Sequence, residues 1–164
     1  INPLFTVMHK EAWSLLKSVN SPKIIKIASR TYASDKDLIR SISKEVDEII
    51  ISTGVSDKSN INFKEFDKAT FVWCKSEYPH YGFEIKEFPK EFNKKTFSGL
   101  SDHSLGSALT FLAISRGANL IERHFTLDKS DQTIRDHALS STPEEFGQIV
   151  KQGRELHNLV KKLK

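Results

Sequence analysis

Six short apolar runs, mostly of β-branched residues, recur along the chain at 4–8, 23–28, 48–52, 70–74, 97–100 and 120–125. Most are continuously apolar rather than alternating, which is the pattern of strands buried on both faces. Between them lie segments with helical spacing. Residues 9–18 carry Trp13, Leu15 and Leu16, and residues 35–46 carry Leu38, Ile39, Ile42 and Val46. Residues 104–116 are small and apolar, and 143–164 form a long amphipathic pattern. That last segment opens with Ser141 or Thr142 as a cap, Pro143 in the first turn, and Glu144 and Glu145 at the positive end of the helix dipole. Strand alternating with helix predicts an α/β fold with a parallel sheet. No Pro/Gly/Ser-rich linker or low-complexity stretch interrupts the pattern, so one domain over 1–164 is expected.

Composition narrows the class. At 164 residues, 38% hydrophobic and 28% charged, the chain is long enough to bury a core. No apolar run approaches the ~20 residues of a membrane span, and no signal-peptide pattern opens the sequence. The single cysteine, Cys74, excludes an internal disulfide and fits a reducing cytoplasm, which is the expected location. The net charge of +4 is scattered, and its densest cluster is Lys161, Lys162 and Lys164. These read as a solvated helix end stabilised by its dipole, so neither nucleic acid nor membrane is expected as a partner.

Polar residues gather where the runs end. Lys26 and Ser29 close the second run, and Ser52, Thr53 and Gly54 the third. Lys75 and Ser76 follow the fourth, Ser101 to His103 the fifth, and His124 with Thr126 the sixth. In parallel α/β folds the carboxyl ends of the strands line the ligand site. Hydroxyls and a lysine there suit an anionic ligand, and Gly54 allows close backbone approach. His103 and His124 each sit just past an apolar run, with one helix-length segment between. On adjacent parallel strands the pair would converge on a metal ion, an aldehyde or a phosphate. Serine also caps helices, and that role accounts for Ser34 and Ser104.

Six ordered motifs carry a family resemblance. Lys26-Ile-Ala-Ser29, Ile51-Ser-Thr-Gly54, Cys74-Lys-Ser-Glu-Tyr-Pro79, Gly99-Leu-Ser-Asp-His103, Ile121-Glu-Arg-His-Phe-Thr-Leu-Asp128 and Asp136-His137 resemble the signatures of the sialic acid synthase (N-acetylneuraminate synthase) family. Its members include synthases of pseudaminic and legionaminic acids and of spore-coat sugars. The resemblance runs from about Phe5 to the end of the chain. It implies a (β/α)₈ TIM-type barrel that condenses phosphoenolpyruvate with an N-acetylated hexosamine aldehyde, giving a nine-carbon 2-keto acid and phosphate. It also implies a divalent metal, typically Mn²⁺, with Mg²⁺ or Co²⁺ as alternatives.

By position, the resemblance implies that His103 and His124 are metal ligands. It implies that Lys26, Ser29, Ser52 and Ser101 hold phosphoenolpyruvate, with Ser76 standing where the family usually has asparagine. Asp136 matches the carboxylate that holds sugar hydroxyls, and Tyr78 lies near that pocket. His103, His124, Asp136 and Lys26 are the expected catalytic residues. Thr31 stands where many relatives carry an acidic residue, which bears on sugar recognition, and Trp73 replaces a common histidine and is expected to pack. Asp102 is expected to orient its turn rather than ligate metal. Cys74 reads as core, without an activating partner. His137 reads equally as a substrate contact or an exposed loop residue, and His9, His80 and His157 as surface residues.

A full (β/α)₈ barrel needs about 250 residues, so about six of the eight βα units are expected here, a truncated barrel. The family's first two units and its small C-terminal antifreeze-like domain find no counterpart in these 164 residues. The expected parent is an enzyme, with this chain alone inactive. Its open sheet edges predict a homo-oligomer or pairing with strands from another segment. The alternative is a truncated, non-enzymatic barrel that binds phosphate or metal, or pairs with another chain. A 3-deoxy-heptulosonate type of phosphoenolpyruvate aldolase fits the two histidine motifs poorly.

Overall fold

The computed structural model describes residues 2–130 and 135–163 and comprises two compact units, Ile1–Trp73 and Cys74–Lys164. The first unit holds strands β1 (Phe5–Val7), β2 (Ile24–Ile27), β3 (Glu48–Ser52) and all but the last residue of β4 (Ala69–Cys74). Helices α1 (Lys10–Val19), α2 (Ser29–Ser34) and α3 (Lys36–Ser43) lie between them in sequence. The strands pair in order and in parallel, with Val7 opposite Ile27, Ile27 opposite Ile51, and Ile51 opposite Phe71. Each link buries apolar side chains. Ile25, Ile27, Ile49 and Ile51 are fully buried, together with Ile39 and Ile42 from α3. α3 starts where it does because the Asp35 side chain accepts from Leu38 N at 2.9 Å, satisfying one of the free N–H groups of the first turn.

The second unit holds β5 (Phe97–Asp102), α4 (Ala108–Ser115), β6 (Leu120–Arg123), α5 (Arg135–Leu139) and α6 (Pro143–Leu163). β5 and β6 are parallel, with Gly99 opposite Leu120 and Asp102 opposite Arg123, and α4 packs on α6. Thr142 caps α6. Its hydroxyl accepts from Glu145 N at 3.3 Å while Glu145 accepts from Thr142 N at 2.9 Å, a reciprocal capping box. Lys161 and Lys162 occupy the last turn of α6, and Lys164 lies outside the described residues.

All six apolar runs are strands, and the differences from the sequence reading have identifiable causes. The fifth run extends to Asp102 because Ser101 and Asp102 pair with Glu122 and Arg123. The helix expected from 104 begins at Ala108 instead. Asp102 holds Ser104 N at 2.9 Å in a turn, and Gly106 takes a positive φ of 74° that helix geometry excludes. α2 and α5 were not expected, since Ser29–Ser34 and Arg135–Leu139 are too short to show an apolar period. His80, expected at the surface, is buried and forms an isolated parallel bridge with Ser104. Among the described residues no helix is long and apolar enough to cross a membrane.

Gly99 is a point of close approach. A Cβ built there would lie 2.2 Å from the carbonyl oxygen of Leu120, and a backbone atom in a paired strand cannot give way. Gly99→Ala is therefore expected to destabilise the chain by about 3 kcal/mol, the upper end of the usual overpacking range, measured by denaturant unfolding.

Candidate functional site

The β5–β6 register sets the site of the second unit. Asp102 and Arg123 face each other as the last residues of their strands, so His103 and His124 leave adjacent strand ends. Their rings lie 5.1 Å apart, centroid to centroid. Tyr78, on the loop after β4, brings its ring to 4.2 Å from His103 and 6.1 Å from His124. Asp136, in α5, places a carboxylate oxygen 3.8 Å from His124 Nδ1. Four of the residues expected at the site therefore meet here, and His137 is half-buried on the same helix. Ser101 is buried on β5 opposite Glu122, and Ser76 is half-buried on the loop after β4.

The tautomer of His103 follows from its partner. Nδ1 lies 3.0 Å from the carbonyl oxygen of Lys75. A carbonyl only accepts, so Nδ1 carries the proton and Nε2 keeps its lone pair. Burial lowers the His103 pKa below the ordinary histidine value, against the Lys75 carbonyl that raises it, and the neighbouring His124 lowers it further. Glu122 and Asp102 favour the cation but do not reverse the direction. The ring is thus a neutral imidazole with a lone pair available at neutral pH, which suits a metal ligand. Among the described residues no group of three His, Cys, Asp or Glu side chains could hold an ion. Two imidazoles alone make an open site, with positions left for water or substrate.

Cys74 makes one contact that the sequence did not indicate. It is buried as expected, yet its Sγ lies 3.6 Å from His103 Nδ1. Because Nδ1 donates to Lys75, the sulfur is a weak acceptor in this contact and gains no base.

Asp102 orients its turn as expected and does more. Its carboxylate accepts from Ser104 N, from Ser104 Oγ at 2.7 Å and from Thr110 Oγ1 at 2.6 Å. It also pairs with Arg123, and both side chains are shielded from solvent. Arg123 was not singled out from the sequence. The available signal was a long cation at the end of an apolar strand, a place where arginine is rarely buried without a partner.

In the first unit the anion candidates take distinct places. Ser52, the last residue of β3, is 3% exposed, and its Oγ has no hydrogen-bond partner among the described residues. Ser29 opens α2. Lys26 does not end its strand: it lies within β2, half-buried between the fully buried Ile25 and Ile27 and on the opposite face. Beside Ser52, Thr53 donates to Val72 O at 3.2 Å, and Lys58 reaches the carbonyl and hydroxyl of Thr53. Lys58 also lies 5.9 Å from the ring of Trp73, which is buried as packing. Lys58 is a second cation near the end of β3 that no strand-end pattern indicated, because it comes from the following loop. Thr31 is buried on α2.

Comparison with known proteins agrees with the motif resemblance. The NeuB family model matches residues 1–164, and the chain belongs to that family. It is 35% identical over 153 residues to pseudaminic acid synthase of Campylobacter jejuni, covering 86% of this chain and 43% of the relative. It is 31% identical over 146 residues to N,N'-diacetyllegionaminic acid synthase of the same species, covering 82% and 43%. The N-acetylneuraminate-9-phosphate synthase of Drosophila melanogaster is 29% identical over 159 residues, covering 86% and 40%. The chain thus spans less than half the length of these relatives. A crystal structure of N-acetylneuraminic acid synthetase from Leptospira borgpetersenii superposes with a TM-score of 0.78 at 24% identity, over 94% of this chain and 56% of the other. That likeness establishes the shared α/β fold.

The lowered His103 pKa has a consequence for stability. Below the unfolded-chain value of about 6.5, the unfolded chain binds a proton that folded His103 refuses, so protonation favours unfolding. In the metal-free chain, stability is expected to fall as pH drops through about 6.5 toward the folded pKa, and His103→Gln should flatten the slope there. Denaturant unfolding between about pH 5 and 7 measures it. The carboxylates with lowered pKa values titrate below this window.

Proposed function

We propose that this chain is the catalytic-face segment of a nonulosonic acid synthase. The parent reaction joins phosphoenolpyruvate to an N-acetylated hexosamine aldehyde, giving a nine-carbon 2-keto acid and phosphate. The observation that carries the reading is the His103–His124 pair, with rings 5.1 Å apart at adjacent strand ends, in a chain of the NeuB family. In this reading the βα units belong to a (β/α)₈ barrel of a cytoplasmic enzyme.

His103 Nε2 and a ring nitrogen of His124 would hold a divalent ion, most simply Mn²⁺. The neutral His103 imidazole and the two-imidazole donor set fit a divalent ion at an open site. When bound, such an ion polarises the sugar aldehyde and makes its carbon electrophilic. The residues do the rest by position and charge. Tyr78, against His103, forms a ring wall for the sugar. Asp136 accepts hydrogen bonds from sugar hydroxyls. On the first unit, Lys26, Ser29 and Ser52 are anion-binding groups suited to phosphoenolpyruvate, whose charge they offset. On the second unit, Ser76 and Ser101 are hydroxyls of the same kind. The buried Ser52 hydroxyl supports this role, because an oxyanion would satisfy a group that is costly to leave unpaired.

Calorimetric titration with Mn²⁺ tests the metal site. One ion per chain is expected, and His103→Ala or His124→Ala should each weaken it sharply, because an open site has no spare protein ligand. Unchanged affinity in both variants would sink the assignment. The anion site is tested separately by melting. Millimolar phosphoenolpyruvate should raise the melting temperature by mass action, and Lys26→Ala should remove most of that rise, since a charged donor contributes more than a hydroxyl.

A further inference from the structure

We infer that Arg123 is the positioning residue of the histidine pair: one buried guanidinium holds together the three segments that carry His103, His124 and Asp136. The inference rests on the metal reading above for what the pair does, but not for how the pair is held.

Each histidine follows one member of a buried ion pair, Asp102–His103 on β5 and Arg123–His124 on β6. Side chains alternate along a strand. Asp102 and Arg123 therefore turn toward Thr110 of α4, and the histidines leave from the other side of the strand ends. Because Asp102 and Arg123 are also register partners, their bond locks the two strand ends at one relative height.

The remaining donors of Arg123 fix the third segment. Nε donates to Ser141 Oγ at 3.0 Å, and Nη2 donates to Ser104 O and Leu139 O, each at 3.3 Å. Leu139 ends α5, the helix that carries Asp136, and Ser141 N donates to His124 O at 2.8 Å. A planar fork presents five N–H donors on three nitrogens in fixed directions, whereas a lysine ammonium has three donors on one atom and cannot span these separated acceptors.

The test compares Arg123→Lys and Ser141→Ala with the unmutated chain. Lys17→Met, which removes an exposed ion pair of the first unit, is the control. Three quantities are read: thermal unfolding, the ring nitrogen signals of His103 and His124 by nuclear magnetic resonance in metal-free protein, and Mn²⁺ affinity by electron paramagnetic resonance. Arg123→Lys keeps a cation beside Asp102 but loses the fork. Both histidine signals should shift, and Mn²⁺ affinity should fall about tenfold or more. A folded Arg123→Lys chain with a lower melting temperature, unmoved histidine signals and unmutated Mn²⁺ affinity overturns the inference, since that is what a purely structural pair predicts. If Arg123→Lys does not fold, Ser141→Ala decides: a shifted His124 signal is expected, and an unmoved one overturns it. If the unmutated chain takes up no Mn²⁺, the metal reading fails, and the histidine signals still decide this one. Lys17→Met should move none of the site readouts.

Discussion

The second unit is organised around one ion pair without access to water. Removing Asp102 and Arg123 from solvent costs several kcal/mol per ion, and their attraction offsets that only if every remaining donor and acceptor is used. Here they are used. The carboxylate accepts from Ser104, Thr110 and Arg123, and the guanidinium donates to Asp102, Thr110, Ser104, Leu139 and Ser141. An apolar pair of similar volume would serve stability as well. What it would not supply is direction, because apolar contacts do not fix which backbone carbonyl sits where. The pair is best understood as the device that sets the relative positions of β5, β6, α4 and the α5–α6 connection.

Parallel pairing supplies the other constraint. In each unit the strands run the same way, so every strand delivers its last residues to the same edge. In the first unit this places Ser52 and Thr53 at the end of β3, next to the cation of Lys58. In the second it places His103 beside His124. The backbone then tunes what arrives there. The Lys75 carbonyl chooses the His103 tautomer, and burial keeps the ring neutral. Neither effect needs an additional titratable side chain.

The architecture was readable in the sequence because β3, β4 and β5 are buried on both faces, which leaves a pattern that solvent-exposed strands do not have, while β1, β2 and β6 keep apolar runs with only partial burial. Runs such as Ile49-Ile50-Ile51 admit few other structures. Boundaries were less readable. β5 gains Ser101 and Asp102 through pairing with β6, and α4 loses its expected first turn to the Asp102–Ser104 bonds. Both are long-range or side-chain effects that local periodicity does not register. His80 was misjudged for the same reason: nothing nearby in sequence signals its bridge to Ser104.

The sequence by itself determined the class of fold, the order of the strands and of the longer helices, and the residue types at the strand ends. These depend on hydrophobic period and on short motifs, which are local properties of the chain. Only the tertiary structure decided that His103 and His124 come within ring contact, that Tyr78 packs on them, and that Cys74 touches His103 without gaining a base. It alone revealed Arg123 as the hub of the second unit. A hydrogen-bond network among residues 102, 104, 110, 123, 139 and 141 has no period along the chain, and its partners are chosen by proximity after folding.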